Sequence, residues 1–369
     1  MKIRVKQKEL GGAVKLLGRL LTKKSSNPVL TMMKLSMQEG KLTLEVNDLM
    51  TGGRITVKAD GVEEERQVLV LGKTLVEAVG MWDQEETSFE LEEEQMIARN
   101  GKDRVALPLG KADDFPAFPD SLEQGEEVEG EFLDKVKEEV VFAASGDLNR
   151  PQLTGILWKQ EERKLKVVGT DGFRLSLLEV ERAGKAVEEQ VLIPAKMIGE
   201  AVLMMESQDE KKMKLSCDLE MKKVYFTGEN WAYFANLIES AYPPYERIVP
   251  LEFKMEAEFE REELLRVLNK ASVFARESSN VVRLEIEKGK ANLTAKGVTG
   301  QYESELEVDF KGVETVQLAF NLKYLTEYLA VIKTETVWLG INESTKPVML
   351  ATQKGAELSY IVMPFKAHD

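Results

Sequence analysis

Three internal repeats constrain the fold of this chain more than any other feature of its sequence. Each third opens with an amphipathic segment that is followed by short β-like segments, and a second helical segment then follows a strand. Equivalent landmarks in the first, second and last thirds are Leu42, Leu165 and Leu293, and then Val68, Val191 and Val316. The length of 369 residues divides into three units of 123. A fixed period of this kind indicates that one structural unit is repeated along the chain.

Two hydrophobic periods alternate inside each unit. Leu10, Val14 and Leu17 share a helical spacing, whereas apolar and polar residues alternate from 41 to 46 as they do in a half-buried strand. The pattern predicts an α+β fold built from three tandem β-α-β-β-β-α-β-β-β units. Shifts in composition predict domains at 1–122, 126–250 and 251–369. Helices are expected at 8–24, 72–82, 134–145, 196–206, 262–276 and 321–333.

Composition excludes several classes of function. Cys217 is the single cysteine and His368 the single histidine, so a disulfide framework, a cysteine- or histidine-based metal site and a Ser-His-Asp triad are all excluded. No apolar run approaches the ~18 residues that a membrane helix needs. The N-terminal residues are charged from the start, which is unlike a signal peptide. We therefore expect a cytoplasmic protein that has no metal, no cofactor and no membrane partner.

Charge is distributed unevenly along this acidic chain. The net charge is −14, which argues against a nucleic-acid partner, yet the six predicted helices together carry +4 and the remainder carries −18. Two interpretations stay open at this point. The helices have ordinary solvated faces, or they together form a surface that meets a polyanion while the rest of the protein repels it.

Four sequence strings carry a resemblance to a known family: SSNPVL, GTDGFRL, YPPYERIVP and YIVMPF, each in register with the threefold repeat. Together they resemble the bacterial DNA polymerase III beta subunit, the sliding clamp, over the whole chain. The resemblance implies a head-to-tail homodimer, a six-domain ring around double-stranded DNA that is bound without regard to sequence. It also implies a processivity factor that catalyses no reaction.

The resemblance further implies a peptide-binding pocket for the DNA polymerase III alpha subunit, the clamp loader delta subunit and other proteins that carry a clamp-binding motif. Arg174 and Arg247 would meet acidic or carbonyl groups of the motif. Phe173 stands where a histidine is common in the family, which predicts a different motif preference. The pocket residues implied in this chain are Leu153, Thr170, Gly172, Phe173, Arg174, Leu175, Pro243, Arg247, Ile248, Asn321, Tyr324, Ile361, Val362, Met363 and Pro364.

Two further sets of residues follow from the same resemblance. Those expected to face DNA are Lys24, Lys73, Arg150 and Lys196. The joint between the two copies would place Val273 and Phe274 against Val105 and Leu107 of the other copy, although each of these four residues also suits the core of its own domain.

Two alternatives to a clamp are compatible with parts of the sequence. A carboxylate-dependent hydrolase would need a pair of acids in distinct environments, but runs such as 63–65 and 92–94 are typical of solvated turns. A clamp-like scaffold that binds peptides without encircling DNA would share the fold and the pocket. It would differ only in the joint and in the charge of the helices.

Overall fold

The computed structural model describes residues 1–22, 24–119, 125–181 and 190–365. The predicted end of the first domain at 122 and His368 lie outside the described residues. Each third of the chain contains the same order of elements. The first third contains β1 (Lys2–Lys6), α1 (Gln7–Gly18), β2 (Met32–Gln38), β3 (Lys41–Asn47), β4 (Thr51–Lys58), β5 (Arg66–Leu71), α2 (Gly72–Gly80), β6 (Glu86–Leu91), β7 (Gln95–Asn100) and β8 (Asp103–Pro108).

The central and last thirds repeat this order. The central third contains β9 (Glu126–Glu129), α3 (Gly130–Glu139), β10 (Gly155–Glu161), β11 (Lys164–Thr170), β12 (Arg174–Glu181), β13 (Val191–Pro194), α4 (Ala195–Ser207), β14 (Lys212–Asp218), β15 (Lys223–Thr227) and β16 (Trp231–Asn236). The last third contains β17 (Met255–Glu260), α5 (Arg261–Ala275), β18 (Val281–Glu287), β19 (Gly289–Lys296), β20 (Gln301–Lys311), β21 (Val316–Asn321), α6 (Leu322–Val331), β22 (Thr336–Ile341), β23 (Val348–Ala351) and β24 (Leu358–Val362).

The α+β class and the threefold repeat are confirmed, but the strand count needs one correction. Four strands, rather than the predicted three, lie between the two helices of each repeat. The additional strands are β4, β12 and β20, which follow the predicted strand pair of each repeat, whereas β5, β13 and β21 are the strands expected before each second helix. Two helix bounds also differ from prediction, because α1 ends at Gly18 and α3 is followed by a separate 3₁₀ turn at Val141–Ala143.

The described chain forms two compact units, which do not follow the repeats. The first unit comprises Met1–Leu133 with Met197–Leu237, and the second comprises Asp134–Lys196 with Ile238–Asp369. The first unit contains a four-stranded sheet, β1-β6-β7-β8, and an eight-stranded sheet, β5-β2-β3-β4-β16-β15-β14-β9. The second unit contains a twelve-stranded sheet, β13-β10-β11-β12-β24-β23-β22-β17-β20-β19-β18-β21. The paired strands are antiparallel throughout these sheets.

The helices bury their apolar stripes against the sheets. Leu10, Val14 and Leu17 of α1 are fully buried, as the helical spacing predicted. Gly53 of β4 lies directly beneath the end of this stripe, where a Cβ atom would come within 2.7 Å of the Leu20 side chain. A larger residue there would require the ends of the Leu20, Leu17 and Met204 side chains to move aside. None of the helices in the described residues is both long and apolar enough to span a membrane.

Candidate functional site

The candidate peptide site lies in the second unit, where the central and last repeats share a sheet. β12 pairs with β24 in a register that sets Arg174 opposite Val362 and Leu175 opposite Ile361. Successive side chains of a strand point to opposite faces of the sheet. The two pairs therefore contribute to different faces, and the site combines residues from both faces with the turn that precedes β12.

The turn between β11 and β12 is held by its own side chains. The Thr170 hydroxyl donates to the Arg174 carbonyl over 2.5 Å and accepts from the Gly172 amide at 3.1 Å. The Asp171 carboxylate accepts from the backbone amides of Phe173, at 2.9 Å, and Arg174, at 3.1 Å. Gly172 has φ of 94°, a left-handed conformation that favours glycine. The turn therefore has one well-defined shape before any ligand arrives.

Arg174 is held by the protein itself. Its side chain is only 8% exposed, and its guanidinium donates to the carboxylates of Asp171 and Glu327 and to the Phe142 carbonyl. The guanidinium carbon also lies 4.6 Å from the centre of the Tyr324 ring, which is a cation–π distance. Because two carboxylates already neutralise this cation, Arg174 positions the turn and Tyr324 and has little capacity left to bind an acid of a peptide.

The opposite face of the same strands is an apolar cluster. Leu175 and Ile361 are buried in it together with Tyr245, and Tyr242 packs against its side. These two tyrosines anchor the segment that contains Pro243, Arg247 and Ile248. Within that segment Arg247 and Ile248 remain exposed. Arg247 is therefore the better placed of the two predicted arginines to meet a ligand.

The outer surface of the site is apolar and partly open. Phe173 is 55% exposed and Met363 is 36% exposed, and the Met363 amide donates to the Phe173 carbonyl over 2.9 Å. Tyr324 and Pro364 beside them are half-buried. The predicted polar residue Asn321 is the N-cap of α6, where its side chain accepts from the Lys323 amide at 3.0 Å.

The predicted pocket residues thus fall into two groups. The exposed or half-buried ones can meet a ligand: Gly172, Phe173, Pro243, Arg247, Ile248, Asn321, Tyr324, Met363 and Pro364. The buried ones lie beneath the surface, on both faces of the sheet and in the segments that flank it: Leu153, Thr170, Arg174, Leu175, Ile361 and Val362. The sequence reasoning missed Glu327, Asp171 and Phe142, which hold Arg174. The spacing of Lys323 and Glu327 by four residues along α6 is the one sequence signal for an ion pair there, and their side chains do approach within 3.5 Å.

Four basic residues were expected to face DNA, and three of them are exposed: Lys24, Lys73 and Lys196. Lys73 lies 3.7 Å from Glu77 on the same helix. Arg150 is less free, because it bonds to Asp147 at 3.2 Å and to the Asp171 carbonyl at 3.3 Å. The Asp147 carboxylate therefore partly neutralises the charge of Arg150.

The four residues of the expected joint between copies also differ in exposure. Val273 is 59% exposed on α5, and Phe274 and Val105 are half-buried. Leu107 is buried within the first unit. A Cβ atom on Gly300 would lie 3.2 Å from the Phe274 ring, so this ring covers the turn between β19 and β20.

A partly buried acid, Glu139, lies three residues before Phe142, whose carbonyl accepts from Arg174. One carboxylate oxygen of Glu139, at the end of α3, is inaccessible to solvent and has no hydrogen-bond partner among the described residues. Burial raises the pKa of this carboxyl group above its ordinary value. Because folding raises this pKa, the group's contribution to stability is lost as pH rises from the ordinary value of 4.5 through the raised pKa.

Replacing Glu139 with glutamine should therefore stabilise the protein at pH 8 and have little effect at pH 4. Removing the cost of a buried, unpaired charge gives about 1 kcal/mol, which corresponds to a rise of roughly 2–4 °C in Tm. Thermal unfolding at both pH values measures the effect. The exposed neighbour Glu138, replaced in the same way, serves as the control. An equal rise at pH 4 and pH 8 would contradict this account.

Three family models match the chain in sequence order. They describe the N-terminal domain of the DNA polymerase III beta subunit at residues 1–119, its central domain at 127–244 and its C-terminal domain at 246–366. Together they cover nearly the whole chain, one model for each repeat. The chain belongs to the DNA polymerase III beta subunit family.

Relatives of known name and structure agree with this family. The beta sliding clamp of Chlamydia pneumoniae is 26% identical over 375 residues, covering 100% of both chains, and that of Streptomyces coelicolor is 26% identical over 376 residues, covering 99% of both. The crystal structure of the DNA polymerase III beta subunit of Thermotoga maritima has 27% identity and a TM-score of 0.91, with both chains fully covered. The family assignment and the α+β repeat architecture predicted from the sequence are therefore confirmed.

Proposed function

We propose that this chain is a DNA sliding clamp: a cytoplasmic, non-catalytic processivity factor that encircles double-stranded DNA as a homodimer. Its three domains would be residues 1–122, 126–250 and 251–369, so two copies would form a ring of six. The observation that carries this proposal is the way in which successive repeats join within one chain, because the same joint can be repeated between two chains.

Both internal joints use the same strands in the same register. β4 of the first repeat pairs with β16, the last strand of the central repeat, and Arg54 lies opposite Ala232. β12 of the central repeat pairs with β24, the last strand of the last repeat, and Leu177 lies opposite Ser359. The last repeat supplies β20 as the equivalent of β4 and β12. The first repeat supplies β8 as the equivalent of β16 and β24.

Both of these equivalent strands have a free edge in the described chain. β20 pairs with β17 only through Asp309–Lys311, which leaves one side of its first half unpaired. β8 is the terminal strand of its four-stranded sheet. An unpaired strand edge presents a row of free backbone donors and acceptors that another strand can satisfy. A head-to-tail dimer would pair β20 of each copy with β8 of the other.

The internal register also predicts which residues would meet in that joint. Strand pairing within the repeats makes Gln301 equivalent to Arg54 and Leu177, and Arg104 equivalent to Ala232 and Ser359. Arg104 of one copy would therefore lie opposite Gln301 of the other. Val105 would then lie opposite Gly300, beside the Phe274 ring, and Leu107 opposite Val298, which is 89% exposed in the single chain.

A disulfide tests this register directly. The double variant Arg104→Cys, Gln301→Cys should form two intermolecular disulfides on mild oxidation, because directly opposed residues of antiparallel strands have Cα atoms about 4.5–5.5 Å apart. Non-reducing electrophoresis should show a covalent dimer. The single natural cysteine, Cys217, is a poor competitor, because burial raises the pKa of its thiol to about 12 and only the thiolate is reactive.

The control for this experiment shifts the register by two residues. Arg104→Cys with Glu303→Cys keeps the side chain on the same face of β20 but moves it about 7 Å along the strand. It should cross-link at least about tenfold more slowly. Equal cross-linking of the two variants, or cross-linking of neither, would contradict the proposed joint.

The exposed helix faces support a DNA-binding surface that does not read sequence. Lys8, Lys15, Lys196, Arg266 and Lys270 are exposed on helices α1, α4 and α5. Lysine and arginine neutralise phosphates without contacting bases, and such binding is weak and depends on salt. A closed ring would retain the protein on DNA topologically, so weak contacts would suffice and sliding would remain possible.

The exposed apolar residues of the candidate peptide site support docking of short linear motifs. Phe173, Ile248 and Met363 can supply apolar contacts, and Arg247 can supply one cation at the edge. The DNA polymerase III alpha subunit, the clamp loader delta subunit and other proteins with a clamp-binding motif are the proposed partners. The runner-up, a peptide-binding scaffold that does not encircle DNA, would retain this site and lack the joint.

A further inference from the structure

A polar cleft of about 750 Å³ lies on the eight-stranded sheet of the first unit, and it shares no residue with the candidate peptide site. It lies between the strands of the first repeat and those of the central repeat. Its lining residues come from neighbouring strands of that sheet: β2, β3, β4, β16, β15, β14 and β9. We refer to it as the Arg54–Lys214 cleft, after two of the cations that line it.

Short side chains form the floor of this cleft. One cross-strand row runs from Arg54 to Ala232, then to Thr227 and to Lys214. Beside it, the hydroxyls of Thr43 and Thr56 are hydrogen-bonded at 2.9 Å. Because alanine and threonine are short, the long side chains at either end of the row stand above the floor and can converge on a ligand that lies between them.

Three cations line the cleft without a carboxylate partner among the described residues: Lys41, Arg54 and Lys214. The contact made by the Arg54 guanidinium is with the Phe118 ring, whose centre is 4.7 Å away. The fourth cation differs, because Lys212 lies 2.8 Å from both Glu127 and Glu129. The net charge of the whole chain is −14. In a protein with this excess of acidic residues, three neighbouring cations without acidic partners are unusual.

We propose that the Arg54–Lys214 cleft binds an acidic peptide segment of a partner protein. Charge complementarity predicts a negatively charged ligand, because unpaired lysine and arginine side chains form their strongest hydrogen bonds with anionic oxygens. Threonine hydroxyls of the floor add neutral donors. This site goes beyond the proposed clamp function and does not depend on it.

The acids around the cleft favour a peptide over a nucleic acid. Glu39 and Glu229 line the same cavity, and Glu127 lies beside Lys214. A nucleic-acid strand carries one charge per nucleotide and would bring phosphates against these acids. A peptide can place carboxylates at the cations and uncharged residues between them. Arg54 and Lys214 lie three strands apart, roughly 14 Å, which an extended peptide spans in about four residues.

The probe for this site is a fluorescein-labelled nonapeptide that has glutamate at positions 3 and 7 and glycine or serine elsewhere. Anisotropy at low salt should show saturable binding to the full-length protein. The double charge reversal Arg54→Glu, Lys214→Glu should weaken binding at least tenfold. The double reversal Lys111→Glu, Lys288→Glu makes the same change in net charge at exposed sites outside the cleft, and it should change binding less than twofold.

Two further arms make the experiment decisive. A peptide with glutamine at positions 3 and 7 should not bind, and a single-stranded oligonucleotide should bind no more weakly to the cleft variant than to the unchanged protein. Circular dichroism establishes that both variants are folded. Binding of the acidic peptide that survives the cleft reversal, or that is matched by the glutamine peptide, would overturn the proposal. If the cleft reversal abolished oligonucleotide binding, the ligand of the cleft would be a nucleic acid and not a peptide.

Discussion

Replacing Val273 and Phe274 with aspartate should convert a dimer into folded monomers. Val273 is exposed in the single chain, and the Phe274 ring covers the turn that precedes the free edge of β20. Burial of an apolar side chain contributes about 1.5–3 kcal/mol, and a buried unpaired carboxylate adds a further cost. Two such changes in each of two joints should raise the dimer dissociation constant at least about 100-fold. Sedimentation velocity over a range of concentrations measures it.

The control variant has two aspartates at other positions of the second unit, outside the proposed joint. Leu251 and Val313 are almost fully exposed, and replacing both with aspartate should leave the dimer unchanged. Circular dichroism should show native secondary structure in both variants. If the Val273 and Phe274 variant dimerised with undiminished affinity, the proposed joint would be contradicted. If the control variant were also monomeric, the loss of the dimer would not be specific to the proposed joint.

Replacing Arg174 with alanine should destabilise the second unit and weaken peptide binding together. The change leaves the carboxylates of Asp171 and Glu327 without their shared cation, in a site where Arg174 is buried and its partners are partly so. Breaking a fully buried ion pair costs about 3–5 kcal/mol, and solvent screening of the partly exposed Glu327 lowers this to roughly 2–3 kcal/mol. Urea unfolding followed by tryptophan fluorescence measures the loss, since Trp158 and Trp338 lie in this unit.

A second variant separates positioning from direct contact. Glu327→Gln leaves Arg174 in place but removes one of its two carboxylates, so the freed guanidinium can bind an acidic residue of a peptide. An acidic motif should then bind this variant more tightly than it binds the unchanged protein, while a neutral motif should not. If Arg174→Ala left both stability and peptide affinity unchanged, the role assigned to this network would be wrong.

The repeated fold could be predicted from the sequence because its signals are local and occur three times. The leucines at 42, 165 and 293 do occupy equivalent places, since they pair with Val57, Val180 and Ser304 in the same register. The strand missed in each repeat shows the limit of this reasoning. Among the missed strands, β4 contains Gly52 and Gly53 and β20 contains several acidic residues, and both residue types are depleted in strands, so local propensity did not indicate them.

The candidate site was harder to predict than the fold. The resemblance identified its residues, but their roles depend on contacts between distant parts of the chain. Arg174 meets Glu327, which is 153 positions away, and no local pattern indicates that pairing. The buried or exposed state of Leu107 and Val273 likewise depends on tertiary packing, because both are apolar residues in regular elements.

Topological linkage to DNA is the central claim, and the cysteine pair at Arg104 and Gln301 allows it to be measured without a clamp loader. The double variant is incubated with nicked circular DNA, oxidised, and washed in denaturant at high salt, which removes proteins that are bound only by charge. The account predicts that covalent dimers remain with the circular DNA and are released when it is cut once by a restriction enzyme. Covalent dimers that are lost equally from circular and linear DNA would contradict encirclement and would favour a peptide-binding scaffold.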